Sequence, residues 1–252
     1  MTLKKAFITG NSSGLGYGIT ESLLSNDYHV YGCSRRGCNL SGHIDDVQCD
    51  LTDLSTIPMG LENLLGSVNT LDLVVLNAGI LGDIKYMSQT SIEDLNKIMD
   101  INVWSNKVIF DWLLQSGIDV KQILLMSSGA AVLGNNGWSG YAMSKAALNM
   151  LAKLYAHEFP DTHITAIAPG LIQTKMMDYL CDDADNDKFP ALKRLKAAQG
   201  TSTMLSPLEA GERILASLEP LKDFTSGSFI DLRQIHAPEE YKELMKTWSK
   251  GG

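Results

Sequence analysis

The chain lacks the features by which membrane and nucleic-acid-binding proteins are usually recognised. None of its apolar runs approaches the ~20 residues that a helix needs to span a bilayer. It has no long basic run, and its formal net charge of -8 argues against nucleic acid or an anionic membrane as the main partner. At the N-terminus, Lys4 and Lys5 precede a short strand-like run and a glycine loop, which is not a signal-peptide pattern. We therefore expect a cytoplasmic protein.

Cysteine is scarce, and no two cysteines form a Cys-x-x-Cys pair. The four are Cys33, Cys38, Cys49 and Cys181. A zinc site would need the first three to converge with His43, but two of them lie at the ends of predicted strands. We therefore predict buried or incidental thiols and no metal.

Repeats, low-complexity segments and linkers are also absent from the sequence. Its 252 residues, 44% apolar and 20% charged, are enough for a substantial core and are ordinary for a globular protein. This length suits one α/β domain or two small ones. Because no linker divides the chain, we predict one domain over residues 1–252.

A regular alternation of strand and helix patterns runs along the chain. Strands are predicted at residues 5–9, 28–33, 45–50, 71–76, 122–126, 163–168 and 227–232. Helices are predicted at 15–25, 54–65, 91–114, 141–159, from 206 onward, and at 238–248. The alternation indicates βαβ units and a parallel sheet, in which ligands bind beyond the carboxyl ends of the strands.

The first predicted strand runs into a glycine loop, Gly10-Asn11-Ser12-Ser13-Gly14-Leu15-Gly16, and then into a helix. Its spacing is neither the G-x-G-x-x-G dehydrogenase fingerprint nor an NTPase loop, which ends in Gly-Lys-Ser/Thr. Strand, glycine loop and helix are nevertheless the context that a dinucleotide phosphate site requires. The alternative is a glycine-rich turn without a ligand.

Tyr141 and Lys145 lie four residues apart on a predicted helix, so they share one face of it. A nearby ammonium favours the phenolate, and we expect it to lower the pKa of Tyr141. Such a tyrosine could donate or accept a proton near neutral pH. The alternative is a chance pair on a solvated face.

Residues 171–203 lose the regular pattern. Six apolar side chains are interleaved there with an acidic stretch, 182–187, that is most simply a solvated loop. The six could be core or the inner side of a lid over a substrate: Met176, Met177, Tyr179, Phe189, Leu192 and Leu195. We treat the segment as a substrate lid that is mobile without ligands and more ordered with them.

Taken together, the motifs resemble those of the short-chain dehydrogenase/reductase family over essentially the whole chain. The resemblance implies an α/β fold, a single Rossmann-like domain with a doubly wound parallel sheet of about seven strands, and commonly a homodimer or homotetramer. The matching segments, in order, are Thr9 to Gly16, Asp50, Asn77-Ala78-Gly79, Asn102, Ser128, Tyr141-x-x-x-Lys145, and Pro169-Gly170 with Thr174.

The resemblance also implies hydride transfer between a nicotinamide and a carbonyl or alcohol carbon. Tyr141 would protonate the alkoxide, and Lys145 would lower its pKa and bind the nicotinamide ribose. Ser128, thirteen residues before the tyrosine as in the family, would donate to the substrate oxygen, although Ser127 is its neighbour. Asn102 would hold a water that links Lys145 to solvent, unless it is a hydrogen-bonding residue inside a helix.

The cofactor site that the resemblance implies spans most of the chain. Asp50 would contact adenine, unless it is a simple turn residue, and Thr174 would reach the carboxamide. The full set is Gly10, Ser12, Ser13, Gly14, Leu15, Gly16, Ser34, Arg35, Arg36, Asp50, Leu51, Asn77, Ala78, Gly79, Tyr141, Lys145, Pro169, Gly170, Ile172 and Thr174.

The second strand ends without the acidic residue that bonds ribose hydroxyls in many dinucleotide folds. Ser34 takes the place of that acid, and Arg35 and Arg36 follow it. A guanidinium can pair with a 2′-phosphate, so the sequence predicts NADP(H) rather than NAD(H). The alternative is a pair of ordinary exposed charges. Ser13 is not the basic residue that many NADP-preferring relatives carry at that place.

Two departures from the family pattern stand out. The last strand reads Ile230-Asp231-Leu232-Arg233 where an Asp-Gly-Gly-like sequence is usual, which puts the usual tetramer packing in doubt. Trp104 also lies where many members have a small residue.

The expected function is NADPH-dependent reduction of a small carbonyl compound to an alcohol, or the reverse. One alternative is a 3-oxoacyl-carrier-protein reductase. Acidic carrier proteins need a basic docking patch, which a net charge of -8 does not indicate. The other is a non-catalytic NADP(H)-binding regulator. Such proteins usually lose the tyrosine or the lysine, and both are present here.

Overall fold

The computed structural model describes residues 3–185 and 187–248. Its central sheet has seven strands, and every neighbouring pair is parallel. The strands are β1 (Lys4–Thr9), β2 (Tyr28–Ser34), β3 (Ile44–Gln48), β4 (Leu73–Leu76), β5 (Gln122–Met126), β6 (His163–Ala168) and β7 (Ser228–Asp231), in the order β7-β6-β5-β4-β1-β2-β3. This order confirms the expected doubly wound sheet, with its reversal at β1 and β4.

Helices cover both faces of the sheet. They are α1 (Gly14–Ser25), α2 (Ile57–Leu65), α3 (Ile92–Met99), α4 (Ser105–Ser116), α5 (Ala130–Leu133), α6 (Ser139–Tyr155), α7 (Lys175–Asp178), α8 (Ala191–Ala198), α9 (Pro207–Leu221), α10 (Arg233–His236) and α11 (Pro238–Trp248). A 3₁₀ turn spans Met87–Gln89, and π-helical turns span Asp100–Trp104 and Tyr179–Asp183.

Alternate side chains of β1 belong to two different apolar clusters. Phe7 packs with residues of α2, α4 and α6, while Ala6 and Ile8 pack with residues of α1 and α9. Successive strand residues point to opposite faces, so a strand that is apolar throughout must be covered on both sides. This explains why Ala6, Phe7 and Ile8, in the middle of β1, are apolar at successive positions.

Several predicted boundaries were wrong. The helix predicted at 91–114 is interrupted by the π-helical turn Asp100–Trp104, and the helix predicted at 141–159 spans Ser139–Tyr155. The strand predicted at 45–50 ends at Gln48. The helix predicted from Leu54 begins at Ile57, after a turn in which Thr56 N–H donates to the Asp53 carbonyl at 3.1 Å. The strand predicted at 71–76 is divided at Asp72, because its carboxylate accepts from the Lys5 N–H at 2.7 Å.

Two further observations concern the membrane and metal expectations. Within residues 3–185 and 187–248, no helix has the length and apolar character to cross a bilayer. Over the same ranges, His, Cys, Asp and Glu side chains form no group of three or more that could hold a metal ion. Cys33, Cys38, Cys49 and Cys181 form no disulfide within the described residues.

Candidate active site

One cleft of about 1010 Å³ lies at the carboxyl ends of the strands. It collects residues from widely separated parts of the chain, as expected for a doubly wound sheet. Of the site residues proposed from the sequence, Asn102 alone is not on its wall. Those that line it are Gly10, Ser12, Ser13, Gly14, Leu15, Gly16, Ser34, Arg35, Arg36, Asp50, Leu51, Asn77, Ala78, Gly79, Ser128, Tyr141, Lys145, Pro169, Gly170, Ile172 and Thr174.

The glycine loop packs backbone against backbone. Gly10 and Gly14 have φ of +75° and +57°, which side-chain-bearing residues rarely adopt. A Cβ at Gly16 would lie 2.2 Å from the Gly10 carbonyl oxygen, whereas one at Gly14 would meet only the Thr174 methyl at 3.4 Å. Within this loop, the backbone of Gly16 is therefore the one packed most closely against another backbone segment, that of Gly10.

The N-terminus of α1 has no side chain that caps it. Ser13 occupies the N-cap position with extended backbone and makes no capping hydrogen bond, and the first turn carries no acidic residue. The leading N–H groups of a helix carry partial positive charge and bind anions. Together with the small glycines, this terminus forms a cradle that fits the diphosphate of a dinucleotide.

Asn77 joins the ends of β1 and β4. Its side-chain amide donates to the Thr9 carbonyl at 3.0 Å and to the Gly10 carbonyl at 3.3 Å. The Thr9 hydroxyl in turn accepts from the N–H groups of Asn77 and Ala78, at 3.0 and 3.1 Å. Asn77 therefore holds the glycine loop in place, and Thr9, which we had not assigned to the site, supports the same turn.

Asn102 is fully buried in the π-helical turn and acts as a clamp. Its Oδ1 accepts from Ile80 N–H at 2.8 Å, and its Nδ2 donates to the Ile80 carbonyl and to Ser144 Oγ, both at 2.9 Å. Its own carbonyl accepts from Asn106 Nδ2 at 2.8 Å. The side chain thus makes the structural hydrogen bonds that were the alternative to a water-binding role, and it ties the loop after β4 to α6.

The two neighbouring serines have different surroundings. Ser127 Oγ donates to Asn149 Oδ1 at 2.5 Å and is buried. Ser128 Oγ accepts from Ala130 N–H at 3.1 Å, and the Ser128 side chain opposes the rise in the pKa of Tyr141. Ser128 lines the cleft with Tyr141, and its donation to the substrate oxygen stays a prediction.

Lys145 is nearly enclosed, with 4% of its surface exposed. Its Nζ donates to the Met126 carbonyl at 2.6 Å, and burial lowers the pKa of Lys145 to about 8. Burial raises the pKa of Tyr141, and the Ser128 side chain opposes that shift. The net shift is opposite to the one expected from Lys145, whose ammonium lies 5.6 Å from the ring centre, because desolvation is the larger effect.

The end of β2 forms the opposite part of the cleft. Ser34 is buried, and its Oγ has no hydrogen-bond partner in the part of the chain that the structure describes. Arg36 donates to Ser13 Oγ at 3.0 Å and more weakly to Ser12 Oγ at 3.4 Å. The guanidinium that contacts the glycine loop is therefore that of Arg36, the second of the two arginines.

Asp50 and Thr174 make local hydrogen bonds. Asp50 Oδ1 accepts from Thr52 N–H at 3.0 Å, which lowers the pKa of Asp50, and the charge of Arg35 lowers it further. Thr174 Oγ1 caps α7 by accepting from Met177 N–H at 3.3 Å. Their contacts with adenine and carboxamide stay predictions.

Residues 171–185 and 187–203 contribute an apolar layer at the cleft. Leu171–Ile172 pairs in parallel with Met204–Leu205, and α7, a π-helical turn and α8 lie between the two. All six apolar side chains proposed from the sequence belong to this layer or pack against it, together with Leu81 and Trp138. Tyr141 packs against the same layer. Met176, Met177 and Leu195 also line the cleft, whereas the other three belong to the apolar cluster without lining it. Opening and closing of this segment stay predictions.

The comparisons with known proteins agree with this geometry. The short chain dehydrogenase family model matches residues 4–185. Benzil reductase ((S)-benzoin forming) of Saccharomyces cerevisiae is 30% identical, over 90% of this chain and 95% of its own. The 3-oxoacyl-[acyl-carrier-protein] reductase FabG of Salmonella typhimurium is 31% identical, over 71% and 78%. The solved KRED1-Pglu enzyme is 26% identical and covers 90% of this chain and 100% of its own, with a TM-score of 0.77.

The family match spans more than half of the chain, and the relatives cover most of its length. A nicotinamide dinucleotide would fit this cleft. It would supply the anion for the N-terminus of α1 and the glycine cradle, and a hydrogen-bond partner for the buried Ser34 hydroxyl. The protein therefore belongs to the short-chain dehydrogenase/reductase family of oxidoreductases, which bind nicotinamide cofactors.

Proposed function

We propose that the protein is an NADPH-dependent oxidoreductase that reduces a small carbonyl compound to an alcohol, or catalyses the reverse reaction. The observation that carries this proposal is that Ser128, Tyr141 and Lys145 line the same cleft as the glycine cradle. When bound, the nicotinamide supplies or accepts the hydride.

Tyr141 is the proton donor in the reduction direction. Because its pKa lies above the ordinary value, the phenol holds its proton at neutral pH. Ser128 Oγ donates a hydrogen bond to the substrate oxygen, where negative charge develops. Lys145, with a pKa of about 8, is mainly protonated at pH 7 and places a positive charge beside the tyrosine ring. Asn102 positions the loop that leads to Gly79.

The substrate wall of the cleft is largely apolar. Leu133, Trp138, Met177 and Leu195 line it close to the layer that packs on Tyr141. Such a wall suits a small aryl or alkyl carbonyl, and one relative is named for benzil, an aromatic diketone. A panel of ketones, diketones and aldehydes that includes benzil, assayed with NADPH, tests the proposal, and absence of turnover throughout would contradict it.

A 3-oxoacyl-carrier-protein reductase is the second candidate, because a relative of 31% identity carries that name. The net charge of -8 is unfavourable for docking an acidic carrier. A non-catalytic regulator would not need a serine and a tyrosine in one cleft with a buried lysine. The same panel, extended with a 3-oxoacyl carrier protein, separates the three functions. We place the protein in the cytoplasm, where free thiols persist.

The cofactor preference is expected to depend on the two arginines after β2. Wild-type protein should bind NADPH about ten- to hundredfold more tightly than NADH, since charge-assisted hydrogen bonds to a 2′-phosphate contribute about 1.5–3 kcal/mol each. Arg35→Ala and Arg36→Ala should each weaken NADPH binding and leave NADH binding nearly unchanged. Fluorescence titration measures this, with exposed Lys97→Ala as the control. Equal affinities in wild type, or an intact preference in both variants, would refute the assignment.

We also propose a homodimer formed by the outer faces of α4 and α6. Five large apolar side chains are exposed there. Trp104 lies immediately before α4, Leu114 lies on α4, and Met143, Met150 and Leu154 lie on α6. On α6 the last three recur at seven and four residues, which places them on one face. Because β7 leads directly into α10, without the usual Asp-Gly-Gly-like ending, we propose a dimer rather than a tetramer.

The double substitution Met150→Glu with Leu154→Glu should convert this dimer into a monomer. Two carboxylates cannot be buried against a second copy without strong desolvation cost. Light scattering after size exclusion gives the mass, and Met59→Glu on α2, whose side chain is also exposed, serves as the control. A double variant that elutes with the wild-type mass would place the interface elsewhere.

A further inference from the structure

All the arginines of this acidic chain line one cleft. They are Arg35, Arg36, Arg194, Arg213 and Arg233, whereas Lys145 and Lys175 are the lysines found there. The planar guanidinium binds carboxylates and phosphates in pairs of hydrogen bonds, which lysine does not. Two of the arginines follow β2 and belong to the proposed cofactor site. The other three form a second group, which we call the far arginines.

The far arginines lie beside β7. Arg233 begins α10 directly after that strand, and Arg194 lies on the cleft face of α8 with Ala191, Leu195 and Ala198, at helical spacing. Strand β7 is five positions from β2 in the sheet, which is roughly 24 Å at the usual strand spacing. An arginine side chain cannot bridge that distance, so Arg233 and its neighbour Arg194 lie too far from β2 to hold a 2′-phosphate there.

Arg233 lies on the side of the sheet where the proposed reaction centre lies, since Ser128 follows β5, two strands from β7. Strand β6, which ends at the Pro169-Gly170 turn, is the immediate neighbour of β7. Leu232 N–H donates to the Ala168 carbonyl at 3.0 Å, so Arg233 follows a residue that is bonded to the end of β6. The diphosphate cradle at α1 follows β1, four strands away or roughly 19 Å. This placement favours the substrate over the diphosphate as the ligand.

Charges around the far arginines are unevenly balanced. Asp231, which is 2% exposed, accepts from Arg233 Nε at 2.8 Å and from its Nη2. Within residues 3–185 and 187–248, by contrast, no carboxylate forms an ion pair with Arg194. Partial burial and the neighbouring charge of Arg233 both lower the pKa of Arg194. One guanidinium thus faces the cleft beside a like charge without a counter-ion.

The remaining groups nearby do not supply that counter-ion. His236 Nε2 is 2.8 Å from Ser217 Oγ, and burial together with the charge of Arg213 lowers the pKa of His236, which favours the neutral ring. Glu240 also lines the cleft, and its charge acts on Arg233. The Arg194 side chain is exposed to the cleft beside the like charge of Arg233, so an anion that enters the cleft can pair with it.

We infer that Arg194, supported by Arg233, binds a carboxylate of the substrate, so that the preferred substrates are oxo acids rather than neutral carbonyl compounds. The inference rests on the proposed carbonyl reduction and names its substrate class. The carbonyl oxygen lies at Ser128 and Tyr141, and the carboxylate lies toward β7. The apolar wall between them holds the aryl or alkyl group.

The test compares benzoylformate with its methyl ester, which has the same skeleton without the charge. Both are reduced with NADPH by wild type, by Arg194→Met and by Lys193→Met, a control on the adjacent exposed residue of α8. Arg194→Met should lower kcat/KM for benzoylformate about ten- to hundredfold, mainly through KM, and leave the ester within about twofold. Lys193→Met should change neither. Comparing each substrate with itself across variants removes the different intrinsic reactivity of acid and ester.

Two kinetic outcomes would overturn the inference. If acid and ester lose activity equally, Arg194 acts on the shape of the wall and not on a charge. If the KM for NADPH rises while both substrates are otherwise unaffected, the guanidinium serves the dinucleotide diphosphate. Circular dichroism and thermal unfolding of Arg194→Met verify that it is folded, and Arg194→Lys, which keeps the charge, should recover part of the activity.

A binding measurement separates this inference from the proposed function. Without turnover, benzoate should raise the unfolding temperature of wild type more than benzamide does, and the difference should disappear in Arg194→Met. Arg194-dependent benzoate binding in a protein that reduces no carbonyl compound would support the anion site and refute the reductase. Reduction of benzil by a protein that does not distinguish benzoate from benzamide would support the reductase and refute the anion site.

Discussion

Tyr141→Phe is expected to lower turnover at least about a hundredfold while leaving NADPH affinity nearly unchanged. The Tyr141 phenol lines the cleft with Ser128, and its raised pKa keeps a transferable proton on it at neutral pH. Removing a positioned acid typically costs about 10²–10⁴ in rate. The ring remains in the variant, so its packing against residues 171–203 is preserved.

The measurement is kcat with benzil or the best substrate of the panel, together with a fluorescence titration of NADPH. Tyr155→Phe provides the matched control, since Tyr155 is on the same helix and its hydroxyl bonds Asp111 outside the cleft. Its turnover should stay within a few-fold of wild type. If Tyr141→Phe retained near-full activity, another group would be the acid and the proposed mechanism would fail.

Gly16→Ala is expected to disrupt both cofactor binding and stability. The added Cβ would lie 2.2 Å from the Gly10 carbonyl oxygen and 2.4 Å from Asn77 Nδ2, so α1 must move away from the glycine loop. Overpacking of this kind usually costs about 1–3 kcal/mol. Because the loop and the helix N-terminus form the cradle together, NADPH affinity should fall at least about tenfold.

Urea unfolding and NADPH titration measure the two effects. Gly60→Ala is the control, because Gly60 also lies within a helix, and its added Cβ would meet only Cys49 atoms at 3.4 Å and beyond. That variant should gain up to about 1 kcal/mol from the smaller backbone entropy of its unfolded chain. A Gly16→Ala protein with wild-type stability and affinity would show that the contact at Gly16 is dispensable.

The sequence predicts the sheet well because its signals are local. Each strand is a short apolar run between turn residues. Ser91 caps α3 by accepting from Asp94 N–H at 3.0 Å, as a serine three residues before an acidic residue indicates. The ordered motifs also place Gly14, Ser128 and Tyr141 at one edge, because parallel strands end at the same side. These inferences need no knowledge of how distant segments pack.

What the sequence does not predict depends on such packing. In the glycine loop the close backbone contact is at Gly16 and not at Gly14. It depends on the distance between α1 and the Gly10 carbonyl, which no local sequence pattern encodes. The clamp of Asn102 joins Ile80 and Ser144, which lie 22 and 42 residues away, and Ser144 carries no motif of its own. The direction of the Tyr141 pKa likewise depends on burial by residues 171–203.

The irregular pattern of residues 171–203 has a physical cause. A π-helical turn at Tyr179–Asp183 and the short helices on either side interrupt the 3.6-residue period, so the apolar side chains do not recur regularly. They still converge, because Phe189 lies against the ring of Tyr86, with centres 5.3 Å apart, and beside Gly137. A period-based interpretation finds these residues apolar but cannot place them.

The strand order also governs how the chain must assemble during synthesis. Strand β1 can pair with β2 once the first 34 residues of the chain have been made. Its other edge stays unpaired until Leu73–Leu76 has been made. The outer edge of β6 likewise stays unpaired until β7, Ser228–Asp231, has been made. A growing chain therefore completes the glycine-loop side first and carries an open strand edge on the catalytic side, where unpaired edges invite aggregation. Truncation before residue 228 would leave that edge open permanently.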